Sequence, residues 1–341
     1  MILKEVSKAK HRILEQYFPT WATILGSHYH HLVYVDCFAG EGKYEHNEPG
    51  SPLITLRAAK MLKRMKGITT TLYYIEKDKS AADDLARNLQ SEPDCGEGLK
   101  YYVFPENAKE FVPSLLKSIP HDLPAFFFID PCGHPISFPI IRQILSRPRT
   151  EVLLNLMWYS INRDLGNPQS RELINTMFGH SEWQKQLFMS MHGGAREMAF
   201  LKYVLKEIGA QFPMEFRIRF SPEDDVSSKL TKYYLIHFSN HPRAALIMKS
   251  IMYNLGDEEG TFDYSATHQG VLFSSIHKES ELIEYLKKNY CGQDKQVTFE
   301  QLQIETLRLP FIKTPVEYPD SSTTGMKTGC PKGNKRYRIW G

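Results

Sequence analysis

One stretch limits the possible folds more than any other: His31-Leu32-Val33-Tyr34-Val35-Asp36-Cys37-Phe38, an apolar run that does not alternate with polar residues. A strand apolar on both faces must be covered on both, which places it inside a parallel sheet flanked by helices. The same pattern then recurs. Ser51-Pro52 supplies an N-cap and a first-turn proline for a helix to about Met65. Thr70 to Ile75 is β-rich and ends at Glu76, Ser80 to Gln90 is helical, and Tyr101-Tyr102-Val103-Phe104 is a third strand. Ala125 to Ile129 forms a fourth, ending at Asp130-Pro131, and Glu151 to Trp158 a fifth. Strand, polar turn and helix in succession are the signature of an open α/β sheet.

The two ends of the chain read differently. Before the first strand, residues 4 to 17 predict a helix that Pro19 stops, with a second helix over 20 to 30. After a helical insertion at about 165–192 and a helix at 196–208, Phe216 to Phe220 and Tyr233 to Phe238 are two strands with no helix between them, which predicts an antiparallel pair at one edge. Five parallel strands finished by an antiparallel hairpin are the layout of a Rossmann-like class I methyltransferase sheet. The loop at 256–270 marks a hinge, dividing the chain into residues 1–275 and a small domain over 276–341. That tail has two helix starts, at Glu281 to Leu286 and after Val297, and closes on the basic, aromatic Lys335-Arg336-Tyr337-Arg338. Helix, helix and β-wing predict a winged helix-turn-helix; the competing reading is a docking subdomain that only covers the core.

Composition sets the outer bounds. The chain has 341 residues, 42% of them hydrophobic and 24% charged, so it can fill a core and is neither disordered nor low-complexity. Without an apolar run of roughly 20 residues, or a hydrophobic leader after Met1, the expected location is the cytoplasm. Five cysteines with no C-x-x-C pair read as reduced thiols, and no metal site is expected. Residues 281–341 hold ten Lys or Arg against seven Asp or Glu, which accounts for the whole net charge of +3.

The candidate chemistry sits at strand ends. Asp36, Phe38, Gly40 and Gly42 follow the first strand, where close glycines let backbone approach a ligand and a carboxylate can grip an ammonium group. Glu76 ends the second strand, the place where a carboxylate accepts ribose hydroxyls, and Asn107 follows the third, in reach of an adenine edge. Together they predict a bound adenosine, hence S-adenosylmethionine. Asp130 and Pro131 end the fourth strand; an Asp side chain and a proline carbonyl there would orient an exocyclic amine toward a methyl donor, with Phe138 as the stacking aromatic. Cys132 and His134 read less well as a nucleophile pair, since nothing supplies an oxyanion hole. Arg163 would hold a phosphate or the cofactor carboxylate, or else form a surface salt bridge. Lys8, Lys10, His11 and Arg12 are either a nucleic-acid contact or a solvated helix face, while Lys335, Arg336 and Arg338 would meet a phosphate backbone.

Taken together, Lys8-Ala9-Lys10-His11, Tyr34 to Tyr44, Glu48-Pro49-Gly50-Ser51-Pro52-Leu53, Asp130-Pro131-Cys132-Gly133, Asn162-Arg163 and His241-Pro242-Arg243 resemble the three-Cys-motif partner protein family over nearly the whole chain. The resemblance implies a methyltransferase-like protein binding S-adenosylmethionine, and a partner that is a radical-SAM-like protein with a three-cysteine motif. This chain carries Glu41 where the family usually has Pro, and Cys132 where it usually has Phe. The expected activity is N-methylation of a nucleobase in DNA or RNA; a catalytically silent nucleic-acid-binding subunit of the partner, or a methyltransferase for proteins or small molecules, are the other readings.

Overall fold

The structure is a computed structural model that describes residues 5–93, 99–220, 224, 226–227, 230–256, 263–264, 285, 288–289, 297–307, 327–328 and 336–338. In chain order the elements of the main sheet and its helices are α1 (Glu5–Tyr29), β1 (His31–Asp36), α2 (Ser51–Lys66), β2 (Thr69–Ile75), α3 (Lys79–Gln90), β3 (Lys100–Phe104), α4 (Ala108–Ser118), β4 (Ala125–Ile129) and α5 (Phe138–Leu145). They continue with β5 (Thr150–Leu156), α6 (Trp158–Leu165), α7 (Arg171–Phe178), α8 (Gly193–Ile208), β6 (Met214–Arg219), β7 (Thr231–Phe238), α9 (Pro242–Leu255) and β8 (Asp263–Tyr264).

The strands form one sheet in the order β3-β2-β1-β4-β5-β7-β6-β8. β1 to β5 are mutually parallel, and β7 runs antiparallel between β5 and β6. This is the class I methyltransferase order, with β8 added parallel to β6 at the edge. β4 shows why the centre is apolar throughout: Ala125, Phe127 and Ile129 belong to the core on one face, Phe126 and Phe128 to the core on the other, and all five are fully buried. The second core holds the buried stripe of α1 (Ala9, Ile13, Leu14, Tyr17, Phe18 and Trp21), whose spacing keeps one helix face on the sheet.

The elements differ from the sequence expectation at three places. Pro19 does not end the first helix; α1 runs 25 residues through it. The missing proline N–H removes one i→i−4 bond, and the packed stripe on both sides of it offsets that loss. The N-cap of α2 is Gly50, so Ser51 and Pro52 form the first turn. The fifth strand stops at Leu156, and Trp158 begins α6, a helix that the apolar run concealed.

In the tail, β9 (Val297–Thr298) leads directly into α10 (Phe299–Glu305), and β10 (Lys327–Thr328) and β11 (Arg336–Arg338) complete a three-stranded antiparallel sheet ordered β10-β11-β9. Most of the first helix expected at 281–286, most of the 256–270 hinge and Lys335 lie outside the described residues. The described tail joins the main core through Leu307 and through the buried Lys249 of α9, whose Nζ donates to the Thr306 carbonyl at 3.1 Å. Among the described residues, no helix is long and apolar enough to cross a membrane.

Phe126 touches Tyr17, Trp21 and Tyr34 with ring centroids 5.6, 5.6 and 6.1 Å away, joining α1 to the sheet centre. Phe126→Ala is expected to cost about 3–5 kcal/mol in urea unfolding; a loss below about 1 kcal/mol would contradict this packing.

Candidate functional site

β1 lies between β2 and β4, with Asp36 in register with Tyr74 on one side and Phe128 on the other. Asp36, Glu76 and Asp130 therefore leave three neighbouring strands at the same sheet edge. The loop after β1 is tied to both neighbours: Cys37 N donates to the Phe128 carbonyl at 2.9 Å and Ala39 N to the Ile75 carbonyl at 3.0 Å.

That loop turns on two left-handed glycines, Gly40 at φ 61° and Gly42 at φ 80°. Gly42 packs against α3 so closely that a Cβ would stand 2.7 Å from Leu85 Cδ1, and its carbonyl accepts Gly50 N at 2.8 Å. Gly40 is different: a Cβ there would meet nothing within 4 Å. Its N–H donates to Glu76 Oε2 at 2.8 Å while Asp78 N donates to Oε1 at 2.9 Å, so backbone fixes the carboxylate beside that open space. A carboxylate oxygen takes more than one donor, which leaves acceptor capacity for hydroxyls.

Asp36 behaves otherwise than expected. It is fully buried, so it presents no surface to an ammonium group. Oδ1 accepts Phe38 N at 3.2 Å and Oδ2 the Tyr34 hydroxyl at 3.4 Å. Burial pushes its carboxyl up to about 7, against the hydrogen bonds from Ser51 and Phe38, with the charge of Asp130 adding to the rise. Its work is to hold the loop carrying half-buried Phe38, and the start of α2, in place. Asn107 likewise has its amide engaged as the N-cap of α4, accepting Lys109 N at 3.1 Å and donating to Glu110 Oε1 at 2.8 Å.

Asp130 is the centre of a polar cluster. Oδ1 accepts Asn155 Nδ2, from the end of β5, at 2.7 Å, and Oδ2 accepts Lys10 Nζ from α1. Lys10 and Asp130 are mostly buried, with side chains 13% and 11% exposed. Burial works against the ammonium, but Asp130 together with Tyr233 and Tyr44 outweighs it and holds Lys10 above the ordinary lysine range. Lys10 is thus a fixed cation. Its neighbour His11 is also buried, and desolvation together with the Lys10 charge lowers its imidazole to about 4. Of the early basic group, Lys8 pairs with Glu48 at 3.3 Å and Arg12 is exposed, so this helix face is only partly solvated.

Tyr44, half-buried in the loop after Gly42, packs at a tilt against His11 with ring centroids 5.6 Å apart and has Lys10, Asp130, Asp36 and Cys132 in its electrostatic surroundings. Lys10 and Tyr44 are the residues that sequence reasoning missed as site components. The signal for Lys10 was present: it borders the apolar stripe of α1, where a helix face turns from core to solvent.

Other expected site residues lie elsewhere. Phe138 is fully buried at the start of α5, edge-on to Phe178 with centroids 5.0 Å apart, so it is core and no base can stack on it. Arg163 is exposed on α6, 3.9 Å from Asp164, which matches the surface salt-bridge alternative. Cys132 is exposed, but desolvation and the neighbouring Asp130 push its thiol up, the reverse of an activated nucleophile. His134 faces Asp164 at 3.4 Å rather than Cys132. Arg336 and Arg338 lie on β11. Among the described residues, no group of three or more His, Cys, Asp or Glu is placed to hold a metal ion.

No family model matches this chain, and no curated protein does. Solved structures do resemble it. A Legionella pneumophila protein aligns at 13% identity over 70% of this chain and 90% of its own, with a TM-score of 0.42. A SAM-dependent methyltransferase from Agrobacterium tumefaciens aligns at 12% over 67% and 62%, with a TM-score of 0.36. The N-terminal domain of human METTL16 aligns at 10% over 66% and 69%, with a TM-score of 0.33. The fold assignment rests on the strand order of this chain itself.

The elevated Asp36 carboxyl has a measurable sign. In the unfolded chain it ionises from about pH 4, whereas the folded protein keeps its proton to about pH 7. The folded state binds more protons between those values, so this group's contribution to stability falls as pH rises through the window. Unfolding free energies of wild type minus Asp36→Asn are expected to decline from about pH 4 to about pH 7 and then level off. A difference independent of pH would contradict the burial of this carboxyl.

Proposed function

We propose that this protein is an S-adenosylmethionine-dependent methyltransferase acting on an exocyclic amine of a nucleobase. The observation that carries the reading is the cluster of Lys10, Asp130 and Asn155 on the same sheet edge as the open face of Gly40 and the backbone-fixed Glu76. Glu76 would accept the ribose hydroxyls, and the Gly40–Gly42 loop would lie against the methionine portion. When bound, the cofactor supplies a methyl group on a positively charged sulfur. This chain supplies acceptors and position.

Asp130 and the Pro131 carbonyl accept hydrogen bonds from the substrate amine and turn its lone pair outward. Each Asp130 oxygen already has one donor, and since a carboxylate oxygen accepts more than one, the amine joins the Lys10 ammonium at Oδ2. Asn155 holds Oδ1 and with it the carboxylate's orientation. Asp130 then takes the proton that the alkylated nitrogen must release. Tyr44 supplies the aromatic face that Phe138 cannot. The tail, as a winged-helix domain over 276–341, would hold a nucleic-acid backbone through Lys335, Arg336 and Arg338, adding affinity without sequence choice. A three-Cys-motif radical-SAM-like protein is the proposed partner, on the sequence resemblance.

A second reading is a silent accessory subunit of that partner. It is favoured by the same ion pair, which occupies the acceptor. Titration calorimetry and labelled methyl transfer to DNA and RNA separate the two. Glu76→Ala is expected to weaken S-adenosylmethionine binding at least about tenfold. Asp130→Ala should leave that binding intact and abolish transfer, and Lys10→Met should lower turnover at unchanged cofactor affinity. Cofactor binding with no transfer to any nucleic acid by the wild type would favour the accessory subunit, and no binding at all would sink both the cofactor and the enzyme.

A further inference from the structure

A cavity of about 480 Å³ lies at the opposite edge of the sheet, between α1, the segment leading into β5, and the turn from β7 into α9. β5 spans roughly 20 Å between its two ends, so this cavity is separate from the strand ends that carry Asp130 and Glu76. Its size falls within the roughly 300–1,000 Å³ of small-molecule sites. The walls are apolar, with Trp21, Ile24 and Leu25 from α1, Pro148 before β5, and Ile247 from α9.

Its charges are mainly positive. Arg147, Arg149 and Arg243 all line it, and none is within ion-pair distance of a carboxylate among the described residues. The buried Arg147 donates to the carbonyls of Leu116, Ile119 and Pro120, and its Nε–H has no partner. Asp122 acts on Arg147 only through space. Arg149 sits over the Tyr29 ring at 4.7 Å and donates to the Asp122 carbonyl, with its own backbone held at φ 55°. Arg243 is exposed in the first turn of α9, where the helix's unpaired N–H groups add partial positive charge. The one carboxylate in the lining, Glu151, is already committed: its Oε2 accepts the Tyr17 hydroxyl and contacts His237 Nε2 at 2.8 Å. Trp21, 3% exposed, has an indole N–H with no partner. A wall of hydrocarbon and guanidinium charge without a carboxylate partner is complementary to an apolar body that ends in an anion.

We propose that this cavity is a binding site for an amphipathic organic anion, a hydrocarbon body carrying one carboxylate or phosphate. The proposal does not depend on the methyltransferase reading. It gives a role to His241-Pro242-Arg243, a motif of the sequence that the strand-end chemistry leaves unused; His241 caps α9 and accepts Arg243 N at 3.2 Å.

The test is calorimetric titration of the full chain with four probes of equal chain length: decanoate, decyl phosphate, decanol and decyltrimethylammonium. Decanoate or decyl phosphate is expected to bind at least about tenfold more tightly than the alcohol and the cation, and the stronger of the two identifies the headgroup. Arg243→Glu, an exposed change that leaves the thermal midpoint without ligand unaltered, should weaken the anion at least about tenfold. Ala244→Trp, in the cavity wall, should abolish binding. No binding of either anion, equal binding of the cation, or anion affinity unmoved by Arg243→Glu overturns the proposal.

Discussion

A strand that is apolar on both faces has no place for chemistry except its ends. β1, β4 and β5 are buried along nearly their whole length, and each pairs only with strands that are themselves covered by helices. Every polar group with a chemical part to play is therefore forced to the two edges of the sheet. Asp36, Glu76, Asp130 and Asn155 gather at one edge, and Glu151 and Arg149 at the other. The parallel arrangement of β1 to β5 is what makes this a sorting rather than a scattering, because all five strands deliver their last residues to the same side.

Helix α1 then ties the two edges together. Its buried stripe rests on the sheet, while Lys10 reaches Asp130 at one end and Tyr17 reaches Glu151 at the other. A carboxylate as enclosed as Asp130 needs donors, since burying an unpaired charge costs several kcal/mol. Lys10 and Asn155 supply them, one to each carboxylate oxygen. Asp36, at the end of the neighbouring β1, meets burial with neutral and backbone donors, and its carboxyl is pushed up to about 7. Of these two carboxylates on adjacent strands, only Asp130 has a cation beside it.

Much of this was legible in the sequence, for physical reasons that also mark where it failed. The strand ends could be read because uninterrupted apolar runs stop where the polar residue begins, and β4 matches its predicted bounds. The antiparallel pair at the end of the sheet followed from the switch between helix-linked and directly linked strands. Phe138 was misread because an aromatic near Asp130 in sequence is turned inward by the first turn of α5, and sequence distance says nothing about that direction. Asp36 was placed at the right strand end, but its burial depends on Tyr34, two residues back on β1, and on Ser51 at the start of α2, which close over it in the packed structure. Lys10 was harder still: its partner is 120 residues away, and only the packing of α1 on the sheet brings the two together. Pro19 misled for the opposite reason, since tertiary burial overrode a local helix-breaking rule.

The most direct measurement is a crystal structure of the full chain with S-adenosylhomocysteine. The account requires the ligand's ribose on Glu76, its amino-acid portion along the Gly40–Gly42 loop, and its sulfur facing Asp130. Density for the ligand away from that edge, or a sulfur turned from Asp130 with the Lys10 pair undisturbed and no path between them, would contradict it.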